Sequence, residues 1–132
     1  MKYFIDSSFL IALVNENDSL HERSLKYLDL IDENECFISN LIINEVITVI
    51  GNKIDLKTAI STFDLLNDIF YIIDEYENKD FNSNTMLIYE KYNAHLSFTD
   101  CSIVLNMRNQ GIENLLSFDK EFKRVKDINL IS

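Results

Sequence analysis

The chain has no proline, no tryptophan, only two glycines and only two cysteines in 132 residues. With so few of the usual breakers, most boundaries between elements must be marked by Asn, Asp and Ser. Cys36 and Cys101 are too few for a disulfide framework and stand far from any matching His pattern. A stapled secreted scaffold and a structural zinc site are therefore excluded, and buried free thiols are expected. No uninterrupted apolar run approaches the roughly 20 residues that a bilayer requires. The opening MKYFIDSS reaches a carboxylate after three apolar residues, so it does not read as a signal-peptide core, and the expected location is the cytoplasm. Positive charge is scarce as well. Twelve Lys and Arg face 22 Asp and Glu, for a formal charge of −10, which opposes indiscriminate attraction to nucleic acid.

What is present is ordinary globular material. Hydrophobic residues make up 47% and charged residues 26%, with no repeat, low-complexity tract or linker, so residues 1–132 are expected to form one folded unit. Tyr3-Phe4-Ile5 is too short for a helix and rich in strand formers, and Asp6-Ser7-Ser8 then starts a helix running to Val14. After a polar loop from Asn15 to Ser19, helical spacing places Ser24, Tyr27, Leu28 and Ile31 on one face. Cys36-Phe37-Ile38 predicts a second strand, and Ser39 or Asn40 caps a helix that ends near Gly51-Asn52. Asp55 caps a further helix through Ile69, and Tyr71-Ile72-Ile73 is a third strand. Another helix starts at Asn82 to Asn84. Thr99 or Asp100 opens a helix over Ile103 to Asn109 that Gly111 closes. Leu115 to Phe118 and Ile128 to Ile131 are the last two strands. Strands alternating with helices predict a three-layer α/β/α domain with a mainly parallel central sheet of four to five strands.

Four acids stand at the ends of apolar stretches or on helical faces: Asp6, Glu45, Asp100 and Asp119. Each has an ordinary explanation. Asp6 and Asp100 fit as helix caps and Asp119 as the start of a turn. Glu45 fits least well as a solvated residue, because Ile42, Ile43, Val46 and Ile47 surround it on a strongly apolar helix. A fold that gathered all four would line a cavity with oxygen, and like charges held out of water call for a hard divalent cation. Just beyond Asp119, the cations Lys120, Lys123, Arg124 and Lys126 fall within seven residues and could hold a phosphate backbone, although a solvated surface is the plainer reading. Other chemistries fit poorly. His21 and His95 have no recognisable partners, and no Ser or Cys has a paired base. Cys101 reads as a packed helix residue, and Tyr89 and Tyr92 read as core before they read as base-stacking groups.

These segments resemble the PIN domains, most closely the single-domain ribonuclease toxins of VapBC-type toxin–antitoxin pairs. FIDSSFLIALV is similar to the opening strand, acid, hydroxyl and helix of that family, and LIINEVITVI to its motif around a helical Glu. LSFTDCSIVLNMRNQG is similar to the third motif and LLSFDKEFKRV to the last. Successive acids are separated by 39, 55 and 19 residues, and it is their order and spacing together that make the match specific. The resemblance implies that Asp6, Glu45, Asp100 and Asp119 are catalytic and coordinate Mg²⁺ or Mn²⁺, with Ser7 and Thr99 as supporting hydroxyls. It further implies an RNA substrate, a cognate antitoxin and a homodimer. A stand-alone RNA-processing nuclease and a catalytically silent scaffold that binds a partner are the alternatives. A phosphoacceptor receiver domain needs a second acid beside Asp6, where Ser7 stands, and a D-x-D phosphatase needs an acid where Ser8 stands.

Overall fold

The computed structural model describes all residues from Met1 to Ser132. It opens with strand β1 (Lys2–Ile5), helices α1 (Ser7–Val14), α2 (His21–Leu25) and α3 (Leu28–Glu33), and strand β2 (Glu35–Ser39). Helices α4 (Asn40–Lys53) and α5 (Leu56–Ile69) lead to β3 (Tyr71–Ile73), followed by a 3₁₀ turn over Glu75–Glu77. Then come α6 (Phe81–Lys91), α7 (Phe98–Gln110), β4 (Asn114–Leu116), a 3₁₀ turn over Lys120–Arg124 and β5 (Asn129–Ile131).

The five strands form one sheet in the order β3-β2-β1-β4-β5, and every neighbouring pair is parallel. Burial explains the order. Tyr3, Phe4 and Ile5 in β1 and Asn114, Leu115 and Leu116 in β4 are buried in unbroken runs, as strands covered on both faces must be. The edge strands β3 and β5 keep partial exposure. From β1 the chain builds outward through β2 to β3 on one side. It then returns to place β4 and β5 on the other, so the connections diverge at β1. In open parallel sheets that divergence opens a crevice beyond the carboxyl ends of the strands.

The expected three-layer parallel architecture is thus present, with local differences. The helical stretch through Ser24 to Ile31 is divided into α2 and α3 around Lys26-Tyr27. Ser97 caps α7 instead of Thr99 or Asp100: its hydroxyl accepts the Asp100 N–H at 3.0 Å, so the helix begins earlier than its apolar pattern. β4 stops at Leu116: the Ser117 N–H still donates to the Ile131 carbonyl at 3.1 Å, but the Phe118 N–H donates to Ser8 Oγ at 3.1 Å, in the site described below. Gly111 ends α7 with φ of 66°, the left-handed conformation for which its lack of a side chain suits it. Cys36 and Cys101 are buried free thiols, and burial pushes the Cys36 thiol up to about 11.

Candidate active site

All four acids lie at the carboxyl edge of the sheet, and the topology brings them there by three routes. Asp6 and Asp119 follow the adjacent strands β1 and β4. Glu45 lies on α4, directly after β2, and Asp100 lies in the first turn of α7, whose C-terminal end feeds into β4. The crevice at β1 and β4 is the place where Asp6 and Asp119 meet.

Asp6 is the most enclosed of the four, at 4% exposure. It caps α1, and its Oδ1 accepts the Ser7 N–H at 2.8 Å and the Ser7 hydroxyl at 3.3 Å. Its Oδ2 accepts the Ser8 hydroxyl at 3.0 Å and the Ser117 hydroxyl at 2.6 Å. Burial nevertheless raises the Asp6 carboxyl above its ordinary range; the three serines pull the other way, and the charge of Asp119 adds to the rise. A carboxylate that needs so many donors yet still resists ionisation gains from a nearby positive charge.

Asp100 and Glu45 respond to the same field. Burial pushes Asp100 up to about 7, and the charges of Asp6 and Asp119 push in the same direction. Glu45 is raised too, first by loss of water around its carboxyl and then by the charge of Asp6, while the Ser7 hydroxyl favours its ionised form. Asp119 caps the 3₁₀ turn at Lys120–Arg124 through its Oδ1, which accepts the Glu121 N–H at 3.0 Å, and its own N–H donates to Ser117 Oγ at 3.0 Å. Its role as a turn-starter therefore coexists with its place beside Asp100. A cleft of about 340 Å³ opens between α4 and the start of α7, and of the four acids only Glu45 lines it, with Thr99, Leu41 and Thr48.

The donor set is oxygen throughout, which suits a hard cation and no soft one. No group of three or more His, Cys, Asp and Glu side chains forms a ready-made cage. A hard ion such as Mg²⁺ retains several waters and is held by a few carboxylates without an all-protein shell.

Several contributors were not legible as site residues. Ser8 and Ser117 lie 109 positions apart, yet their hydroxyls approach to 3.4 Å and both serve Asp6; Ser8 Oγ also accepts the Phe118 N–H at 3.1 Å. Nothing local marks Ser117, since its contacts form only when β4 lies beside β1. Glu75, at 3% exposure, is a second case. Its Oε1 accepts the Leu41 N–H of α4 at 3.2 Å and its Oε2 accepts the Asn106 amide of α7 at 3.0 Å. It thereby ties together the two helices that carry Glu45 and Asp100. His21 has a structural contact, its Nδ1 2.8 Å from the Ala12 carbonyl. Tyr89 packs edge-on against Phe98. The basic run after Asp119 does not act as one patch. Arg124 and Lys126 border a cleft near the far end of α7, whereas Lys120 and Lys123 do not.

Carboxylates converging beyond the strands of a parallel α/β sheet, at its point of divergence, define a class of acid-centred α/β domains. The family model for the PIN domain matches residues 3–128, and the chain belongs to that family. No curated protein sequence matches it. Among solved structures it is similar to the Mycobacterium tuberculosis VapC20, a sarcin-ricin loop cleaving toxin, at 21% identity and TM-score 0.77, covering 94% of this chain and 95% of that one. The VapBC2 structure from Rickettsia felis, bound to a DNA fragment from its promoter, matches at 17% identity and TM-score 0.73 over 99% of this chain and 98% of that one. VapBC-1 from nontypeable Haemophilus influenzae matches at 18% identity and TM-score 0.65, over 100% and 98% respectively. At these identities the likeness is one of fold.

Proposed function

We propose that this chain is a divalent-metal-dependent endoribonuclease and the toxin of a VapBC-type pair, working as one unit over residues 1–132. The observation that carries the reading is the mutual repulsion of Asp6, Asp100 and Asp119, with Glu45 in the field of Asp6, at one rim of the sheet. Asp6 and Asp119 also cap their elements, but like charges crowded out of water disfavour the fold unless a cation offsets them.

Asp6, Glu45 and Asp100 would hold the principal Mg²⁺ or Mn²⁺, and Asp119 would complete the site or position a second ion. Bound there, the ion supplies an activated water and neutralises charge on the scissile phosphate and the leaving oxygen. The chain's own part is to fix the carboxylates. Ser7, Ser8 and Ser117 lock the Asp6 rotamer from three sides, and Ser117 also holds the backbone of Asp119. Thr99 stands across the cleft from α4, where a hydroxyl can meet a substrate oxygen. Lys120, Lys123, Arg124 and Lys126 are cations for the RNA backbone.

The same negative rim suits a partner's Arg or Lys, which would satisfy the carboxylates in place of the metal. That supports an antitoxin whose segment crosses the site. A short upstream gene encoding a DNA-binding head and a basic tail would identify the antitoxin, and its absence would favour a stand-alone RNA-processing nuclease. The chemistry is tested by replacing Asp6→Asn and Asp100→Asn in turn. Each variant is expected to keep its circular dichroism spectrum and lose more than about a hundredfold in Mn²⁺-dependent cleavage of single-stranded RNA. Full activity in both variants would overturn the assignment. Calorimetry with Mn²⁺ separates the enzyme from a silent scaffold, which would give no binding heat.

A further inference from the structure

Cations are few in this chain, and four of its 12 lie around a single cleft. The cleft has a volume of about 520 Å³ and is bordered by Lys91 and Tyr92 at the end of α6, Arg108 near the end of α7, and Arg124, Lys126 and Asp127 before β5. Its size falls in the range of small-ligand sites, and it is large enough for a nucleotide. Two of the cations are partly committed. Arg108 grips Asp127 through two hydrogen bonds of 2.9 Å, and Arg124 pairs with Glu121 at 2.7 Å. Lys91 and Lys126 make no ion pair, and the Lys91 ammonium lies 5.7 Å from the Tyr92 ring centre. With one acid among four cations, the cleft is positive on a protein of charge −10.

Its position relates it to the carboxylates. Arg108 follows Asp100 by eight residues on one helix, a separation of roughly 12 Å at about 1.5 Å per residue. Arg124 follows Asp119 by five residues along the 3₁₀ turn, roughly 10 Å at about 2.0 Å per residue. Both paths lead from the acidic rim to the same basic cleft. A stacked strand advances about 3.4 Å per nucleotide, so a chain cut at the acids has a phosphate here roughly two to four nucleotides away.

We infer that this cleft is an anchoring subsite for the RNA backbone, with Lys91 and Lys126 receiving phosphates beside Tyr92, which packs partly against the core; the inference rests on the ribonuclease reading. It accounts for how so acidic a protein retains a polyanion: the attraction is local and directed along α7. An acidic protein segment is the competing occupant. RNA is favoured because the cleft and the carboxylates lie one short strand apart, and because an aromatic side chain sits among the cations.

The test measures anisotropy of labelled single-stranded oligoribonucleotides, two and eight nucleotides long, without divalent metal and at several salt concentrations. For the octamer, changing Lys91→Ala and Lys126→Ala together should reduce the slope of log affinity against log salt by about 1.4, near 0.7 for each phosphate no longer neutralised. A dinucleotide carries one phosphate and should show at most half of that change, and Lys91→Arg with Lys126→Arg should restore most of the octamer's slope. An unchanged octamer slope overturns the subsite. So does polyglutamate displacing the octamer from the wild-type protein but not binding the double variant, since the cleft would then serve an acidic partner. Cleavage of the octamer with Mn²⁺ is measured separately. Cleavage with an unchanged slope rejects the subsite alone, whereas a lysine-dependent slope without cleavage rejects the ribonuclease reading and with it the anchoring role.

Discussion

Ser117 shows how much a single hydroxyl can hold. It donates to Asp6 at 2.6 Å, accepts the Asp119 N–H at 3.0 Å and is fully buried. Replacing Ser117→Ala removes a hydrogen bond to a buried acid and leaves a backbone donor without its partner, at an expected cost of about 2–3 kcal/mol. Urea denaturation of the metal-free variant measures it. Asp100 predicts a pH response. Its carboxyl is pushed up to about 7 in the folded protein, against an ordinary 3.8, so the folded form keeps a proton that the unfolded form has released. Between those values unfolding gives up a proton, and stability falls as pH rises, levelling above about 7. The melting temperature of the metal-free protein should therefore decline from pH 4 to pH 7, beyond the trend of an Asp100→Asn variant. Mn²⁺ competes with that same proton, so it should raise the melting temperature more at pH 8 than at pH 5.

At the scale of elements, the tie between α4 and α7 is the telling case. Glu75 accepts from both helices while almost wholly buried. Changing Glu75→Ala strands the Leu41 N–H and the Asn106 amide, which is expected to cost on the order of 3 kcal/mol in urea unfolding. The conservative Glu75→Gln should retain part of that loss and shift Mn²⁺ affinity, because Glu45 and Asp100 would no longer be held at one spacing. Elements were legible where local chemistry marks them: Tyr71-Ile72-Ile73 forms its strand and Asp55 caps its helix through the Thr58 N–H at 2.7 Å. They were obscured where distant contacts decide. Phe118 reads as strand by composition, yet its N–H goes to Ser8 Oγ and not to a neighbouring strand. Likewise the four acids could be located as points on the chain. The serines and Glu75 that arm and brace them are ordinary in sequence and acquire their roles only through contacts across the fold.

At the scale of the whole molecule, α5 carries apolar side chains that its own core does not cover. On α5, Leu56, Ile60 and Phe63 follow helical spacing and are 73%, 55% and 47% exposed. This face would suit the homodimer that the family resemblance implies, since exposed apolar surface marks association sites. A charge there should disrupt the pair: Ile60→Glu is expected to sediment as a monomer under conditions where the wild type sediments as a dimer. A wild type that remains monomeric at high concentration would contradict that pairing. No helix of the chain is long and apolar enough to cross a membrane.

The central place of β1 carries a consequence for synthesis on the ribosome. Strand β1 is made before both of its neighbours, β2 on one side and β4 on the other, and waits longer for β4. Until residue 119 has been added, a nascent chain lacks both the hydroxyl that steadies Asp6 and the acid that stands beside Asp100. The order of translation thus imposes a safeguard of its own. The proposed cutting edge is completed only after β1, β2, β3 and the helices between them have been made.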